Sequence, residues 1–329
     1  MSNRRDFLAN AAVGLALAVP GLATRALAQT DKPLRIIVGF PAGGGVDLLA
    51  RAFAEKLRGR YASTVLVENR VGASGRVSVD FVKAAPADGS VVLLTTDSPL
   101  VVYPNFHKTT NFAPLQDLAP IADVATAEVV LSAGPALPES IRTLKDFAAW
   151  AKAHPKQASI ATTPIGSTGN FIGLLLKRAI GADLAVAAYK GGALAIQDLL
   201  ASQVSISVNP IGEVLPFVNS GKLRALATTG TARSRFLADV ATMQEQGFTD
   251  TVPTPRLGFL APARAPSEII ERLNTAVGEA IKTRELKEAF SKYAFESAFS
   301  TPAQMAATLG ANQDRWANII KATGVKLDE

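Results

Sequence analysis

Five short segments of the chain carry the residue types that grip an anion. Residues 40–47, 70–76, 95–99, 164–170 and 189–193 are rich in Gly, Ser and Thr, and each falls between an apolar run and a helical pattern. A helix N-terminus offers unpaired backbone N–H groups and the positive end of the helix dipole, so it holds a carboxylate or phosphate without an arginine. Glycine at the approach removes the Cβ that would keep the anion from the backbone. Each segment also has a plainer reading. Gly43-Gly44-Gly45 suits a tight turn, Asp47 complements a helix dipole or caps it, and Ser74 and Ser98 are ordinary capping residues. Tyr189 suits a buried ring with a bonded hydroxyl, and Lys190 a solvated cation. The set says more than any member: five anion-competent loops imply holding a ligand rather than transforming it.

Enzyme motifs fail one by one. Gly43 and Gly45 are followed by Leu48 where a dinucleotide fingerprint needs its third glycine. Gly221-Lys222 runs into Leu223 and lacks the upstream glycine of a phosphate-binding loop, and no Gly-x-Ser-x-Gly elbow occurs. There is no cysteine, which excludes disulfides, thiol catalysis and cysteine-ligated metals. Of the two histidines, His107 sits in a polar stretch beside Lys108, and His154 precedes Pro155 at a helix end, a capping position. A Ser–His pair would have to be assembled by folding alone. Carboxylates do not cluster at metal-ligand spacing, so neither metal nor cofactor is expected.

The loops need strands and helices to aim them. Leu34–Val38 reads as a strand running into the first loop, and Leu49, Phe53 and Leu57 then recur at i+4, one buried helix face. Val65-Leu66-Val67 and Val91–Leu94 are further strands, with a helical pattern through Val79 and Phe81-Val82 between them. Strand, loop, helix, strand is the grammar of parallel α/β sheets, whose ligands bind beyond the carboxyl ends of the strands. The pattern repeats in Val129–Ser132, Ser159–Thr162, Ala185–Ala187, the period-two run Val204–Val208 and Leu223–Thr228. The last third reads as mostly helical, with Pro266-Ser267 and Thr301-Pro302 opening helices and Trp150 and Trp316 in apolar helical patterns that suit core packing. At 329 residues the chain is long for one core. Two α/β lobes are expected, with crossings near Ala122–Val130 and Leu223–Thr229.

The N-terminus has a charged start with Arg4-Arg5, an apolar centre, and Ala26-Leu27-Ala28 before a break. This is the pattern of a secretory signal, and Arg4-Arg5-x-Phe7-Leu8 resembles the twin-arginine type. Pro20 and Gly21 interrupt an apolar run already short for a membrane anchor. Cleavage after Ala28 removes Arg4, Arg5, Arg25 and Asp6 and lowers the formal charge from +6 to +4. Lys and Arg are scattered without aromatic interleaving, so nucleic acid is not an expected partner.

From Lys32 onward the chain resembles the Bug-type, TctC-like extracytoplasmic solute receptors of tripartite tricarboxylate transporters. The resemblance rests on Ile36-Ile37-Val38 with Phe40-Pro41-Ala42-Gly43-Gly44 and Asp47, then Glu68-Asn69-Arg70-x-Gly72-Ala73-x-Gly75 and Ala84–Gly89. It continues through Tyr189-Lys190-Gly191-Gly192, Asp198-Leu199-Leu200, Gly221–Ala227 and Gly258-x-Leu260-Ala261-Pro262.

The resemblance implies a periplasmic binding protein of the two-lobed flytrap kind, with a signal over 1–28. One lobe would be built from 29–124 and 229–329, the other from 125–228. A ligand carboxylate would be held by backbone amides and hydroxyls from Phe40, Ala42, Gly43, Gly44, Asp47, Ser74, Thr96 and Ser98 on one side. Gly166, Ser167, Thr168, Tyr189, Lys190 and Asn209 would serve from the other. Expected partners are a small organic anion and a membrane permease, in the periplasm. The chain departs from the family pattern at Asn170, where His is frequent, and at Asn209, where Asp is frequent. The competing readings are an enzyme on the same fold acting on a small carboxylate or acyl substrate, and a ligand sensor docking on a signalling receptor.

Overall fold

A computed structural model describes residues 32–105, 112–249 and 252–323. The expected export signal and His107 lie outside the described residues.

The chain begins with β1 (Leu34–Val38), α1 (Gly45–Leu57), β2 (Val65–Asn69), α2 (Arg76–Lys83), β3 (Val91–Thr96), α3 (Ser98–Val101), α4 (Pro114–Asp117) and β4 (Leu118–Thr126). It then builds β5 (Val129–Ala133), α5 (Leu144–Ala153), β6 (Ser159–Thr162), α6 (Thr168–Ile180), β7 (Ala185–Ala188), α7 (Gly192–Leu200), β8 (Ile206–Pro210), α8 (Ile211–Asn219) and β9 (Arg224–Thr228). It returns through β10 (Arg256–Pro262), α9 (Ser267–Ile281), α10 (Arg284–Lys292), β11 (Glu296–Ser297) and α11 (Pro302–Thr323).

Two sheets result. The first has the order β11-β4-β10-β3-β1-β2, the second β7-β6-β8-β5-β9. In the first, β1 is parallel to β2 and β3, while β10 runs antiparallel between β3 and β4. In the second, β6 is parallel to β7 and β8, and β5 is antiparallel to β8 and β9. The fold is the two-lobed α/β arrangement that the strand–loop–helix grammar implies.

Local chemistry explains the elements. Leu49, Phe53 and Leu57 are buried along α1, and the Phe53 ring meets Phe259 of β10 edge-on at 5.1 Å. Thr143 and Asp146 close a capping box on α5, with Asp146 N donating to Thr143 Oγ1 at 3.1 Å and Thr143 N to Asp146 Oδ2 at 2.8 Å. His154 sits at the end of that helix with Nδ1 3.0 Å from Trp150 O and its ring stacked on the indole.

Two features go beyond the sequence reading. The period-two run at Val204–Val208 becomes β8, whose residues 206–209 are all buried, because helices cover the second sheet on both faces. The stretch before the long C-terminal helices supplies β10, a strand central to the first sheet.

The chain passes between sheets at Ala127–Glu128 and again through 229–255. Ala127 N donates to Pro255 O at 2.9 Å, and Thr229 N to Val129 O at 3.0 Å, so the crossing segments lie side by side. Helix α11 adds a third tie. Its Met305 and Leu309 are buried, and its Trp316 packs edge-on against Phe171 of α6 at 5.1 Å. Arg178 Nη1 of α6 then donates to Ala322 O at 2.7 Å.

Candidate functional site

Register decides which way the loops open. Thr96, ending β3, lies opposite Leu257 near the start of β10, and Asp97 N donates to Arg256 O at 2.9 Å. Arg256 also lies opposite Thr126, the last residue of β4. The carboxyl ends of β1, β2 and β3 therefore sit beside the Ala127–Glu128 crossing. In the second sheet Val129, the first residue of β5, lies opposite Pro210, the last of β8, and β6 and β7 run parallel to β8. Their carboxyl ends reach the same crossing from the other side. Both sets of loops open toward each other.

In the first lobe three loops converge. A Cβ on Gly75 would lie 3.5 Å from Pro99 Cγ and 3.9 Å from Phe40 Cζ. Pro41, Ala42, Gly43 and Gly44 are exposed. Asp47 is buried behind them, and its carboxylate is fully committed. It accepts from Gly43 N at 2.9 Å, from Arg51 Nε and Nη2 at 3.0 Å each, and from Asn69 Nδ2 at 2.9 Å. Asn69 Nδ2 also reaches Phe40 O at 3.0 Å. Burial pushes the Asp47 carboxyl up, but Arg51, the Gly43 amide and Asn69 together hold it below its ordinary range. Asp47 is thus a loop brace, and the Gly43 N–H is spent on it. Arg51 and Asn69 escaped the sequence reading, although Asp47 and Arg51 at i,i+4 on one helix were visible as a pair.

The second loop is strained. Gly72, Ala73, Ser74 and Gly75 have φ of 149°, 44°, 52° and 95° in succession. For Ala73 and Ser74 that left-handed stretch costs about 1–2 kcal/mol each. It leaves Ala73 and Ser74 exposed and delivers Gly75 as the cap of α2. In the third loop Thr96 and Ser98 are half-buried, and Asp97 between them turns inward.

The second lobe answers with three loops of its own. Ser167 caps α6 by accepting from Asn170 N at 3.3 Å, and its hydroxyl also meets Thr163 Oγ1 at 2.6 Å. Asn170 is buried, donating to Thr162 Oγ1 at 3.2 Å, and Thr168 is buried too. Tyr189 donates its hydroxyl to Asp198 Oδ2 at 2.7 Å. Burial first, and then the Asp198 carboxylate, raises the phenol to about 12, so it stays protonated. Lys190 is exposed. Asn209 is wholly buried, its Nδ2 donating to Gly192 O at 3.3 Å and to Glu213 Oε2 at 3.2 Å, while its Oδ1 has no partner. Glu213 is a neighbour that sequence reasoning missed; burial of its carboxyl end raises its pKa.

Three helices open on this space from glycine caps, α1 from Gly44, α2 from Gly75 and α7 from Gly191, and none has a side-chain cap bond. The first amide of α2, Arg76 N, donates to Ala73 O, whereas the N-termini of α1 and α7 keep the orphan amides of a helix start, and the dipoles of all three favour an anion. Among the described residues no group of three or more Asp, Glu or His gathers at metal-ligand range, and no helix is long and apolar enough to cross a membrane.

Facing carboxyl edges joined by adjacent crossings define a two-lobed binding protein of the periplasmic kind. The comparisons agree. Residues 49–325 match the tripartite tricarboxylate transporter family receptor, TctC, and the chain belongs to that family. It is 32% identical over 320 residues to protein BugT of Bordetella pertussis, spanning 96% of this chain and 98% of that one. The periplasmic binding protein BugD superposes with a TM-score of 0.79 at 28% identity, over 90% of this chain and 99% of that one. R. palustris Rpa4515, solved with adipate, superposes with a TM-score of 0.81 at 26% identity, over 90% of this chain and 98% of that one.

Proposed function

We propose that the chain is the extracytoplasmic solute receptor of a tripartite transporter. It captures a small organic anion, a carboxylate, between two lobes and hands it to a membrane permease. The observation that carries this reading is the pair of facing loop sets, with three uncapped helix N-termini and the exposed Lys190 between them. Adipate in a solved relative gives the same ligand chemistry.

In this reading one lobe comprises 29–124 and 229–329, the other 125–228, and they close about the Ala127–Glu128 crossing. Ala42, Ser74, Lys190 and the first amides of α1 and α7 touch the ligand. Thr96, Ser98, Gly166 and Ser167 line the approach. Phe40, Gly43, Gly44, Asp47, Thr168, Tyr189 and Asn209 fix the loops that present them. The chain performs no chemistry and needs no cofactor. Residues 1–28 direct it to the periplasm by the twin-arginine route.

Isothermal titration calorimetry of the mature chain against a panel of carboxylates tests the reading. Heat of binding for at least one member, matched by a thermal shift, is expected. Silence across the whole panel would refute it.

A further inference from the structure

Seven large hydrophobic side chains remain exposed among the described residues, and four of them sit on the facing loops. Val71 is 55% exposed and Val77 45%, on either side of the left-handed turn at Gly72–Gly75. Val77 lies against Gly72, the residue after Val71, since a Cβ on Gly72 would lie 2.8 Å from Val77 Cγ2. Across the opening, Ile165 is 55% exposed, one residue before Gly166-Ser167, and Leu194 is 48% exposed in the first turn of α7. Their two loops are adjacent because β6 and β7 pair and Tyr189 N donates to Thr162 O at 3.0 Å. Scattered exposed hydrophobics need no explanation, but apolar residues gathered beside a polar site mark a ligand surface.

Uncommitted charge on these loops is correspondingly scarce. Over residues 40–47, 70–76, 164–170 and 189–193 the charged side chains are Asp47, Arg70, Arg76 and Lys190, and the first three are engaged by Arg51, by Glu68 and the Phe81 ring, and by Asp80. Asp97, on the remaining loop, is turned inward and buried. A ligand dense in charges or hydroxyls would lose water here without gaining partners. The half-exposed ring of Phe40, beside Gly75 and Pro99, extends the apolar surface on the first lobe.

Building on the receptor reading above, we propose that the solute is a carboxylate with a hydrocarbon body. It is an aliphatic or aromatic mono- or dicarboxylate rather than a hydroxylated or tricarboxylic one. Its carboxylate meets the helix amides and Lys190, and its carbon skeleton lies between Val71 and Val77 on one side and Ile165 and Leu194 on the other.

The experiment is calorimetric titration of the mature chain with succinate, adipate, malate, citrate and benzoate. Each buried methylene strengthens binding about fourfold. Adipate, two methylenes longer than succinate, is expected to bind roughly fifteenfold tighter, and malate more weakly than succinate. Malate or citrate binding as tightly as adipate and benzoate overturns the proposal while leaving the receptor reading intact. No carboxylate binding at all overturns both. The double variant Ile165→Ser/Leu194→Ser changes only exposed side chains, and a circular-dichroism melt checks its fold. It is expected to erase the roughly fifteenfold adipate-over-succinate ratio. If that variant keeps the ratio and instead loses solute uptake in cells, these apolar residues serve permease docking and the proposal falls.

Discussion

Replacing Asp97 by asparagine isolates a charge that the fold holds at a disadvantage. Asp97 is buried at the end of β3, where Asn312 Nδ2 of α11 approaches its Oδ2 at 3.4 Å. The nearest cation, Arg256, is bonded through Nη2 to Asp123 Oδ2 at 2.9 Å. Burial raises the Asp97 carboxyl to about 7; the backbone hydrogen bond at Arg256 opposes it, the charge of Asp123 adds to it, and the Arg256 charge pulls back less. In the unfolded chain the group titrates near its ordinary value of about 3.9. Between these values the native state binds the extra proton, so stability falls as pH rises from about 4 to about 7 and is level beyond. A shift of some three units at about 1.4 kcal/mol each sets a ceiling of about 4 kcal/mol. The asparagine side chain would present the neutral form at every pH with nearly the same shape. Asp97→Asn is therefore expected to match the parent near pH 4 and to gain progressively above it, reaching roughly 8 °C in Tm at pH 8. Thermal melts by circular dichroism at half-unit pH steps supply the curve. A constant offset at all pH values, or a variant less stable than the parent at pH 8, would refute the argument.

Asp47→Ala leaves Arg51 and the Gly43 amide without their shared acceptor, so a loss of about 2–3 kcal/mol in denaturant titrations is expected, with carboxylate affinity down at least about tenfold. A variant with unchanged stability and affinity would return Asp47 to the role of a surface dipole partner. Gly44→Glu places an anion at the cap of α1, where φ of −73° accepts a side chain, and calorimetry should show affinity falling roughly a hundredfold with the far-UV spectrum unchanged. Full binding would remove the first loop from the site. Gly192→Ala drives a methyl into the Glu213 carboxylate and to 2.7 Å from Asn209 Nδ2, so both melting temperature and affinity should drop. Trp316→Ala empties a buried indole site against Phe171 and is expected to cost about 3–5 kcal/mol. Hydrogen exchange should then rise first in α11; protection unchanged there would mean that the helix is held elsewhere.

Much of the architecture was legible in local pattern. The i+4 spacing of Leu49, Phe53 and Leu57 is a rule read within a turn or two, and it holds in the fold. Strand β10 was harder to see, since its partners in β3 and β4 lie 130 or more residues earlier. β8 was legible as a strand, but the helices that bury it from both sides are packed there only by the tertiary fold. Asp47 marks the limit most clearly. Its place in a first helical turn was evident, but its bond to Asn69 depends on β2 lying beside β1.

The sequence by itself determined the loop chemistry, the order of strands and helices, and the family pattern, because glycines, caps and apolar periods act over a few residues. Tertiary structure decided where those loops point. Antiparallel pairing of β5 with β8 and of β10 with β3 and β4 sets the carboxyl ends of both sheets against one crossing. It also separated residues of like type: Ser74 and Lys190 stay exposed, while Asp47 and Asn209 are buried and hydrogen-bonded to the backbone at Gly43 and Gly192. A buried carboxylate must satisfy its acceptors from whatever the fold brings near, and that supply comes from pairing across the sheet rather than from neighbours in the chain.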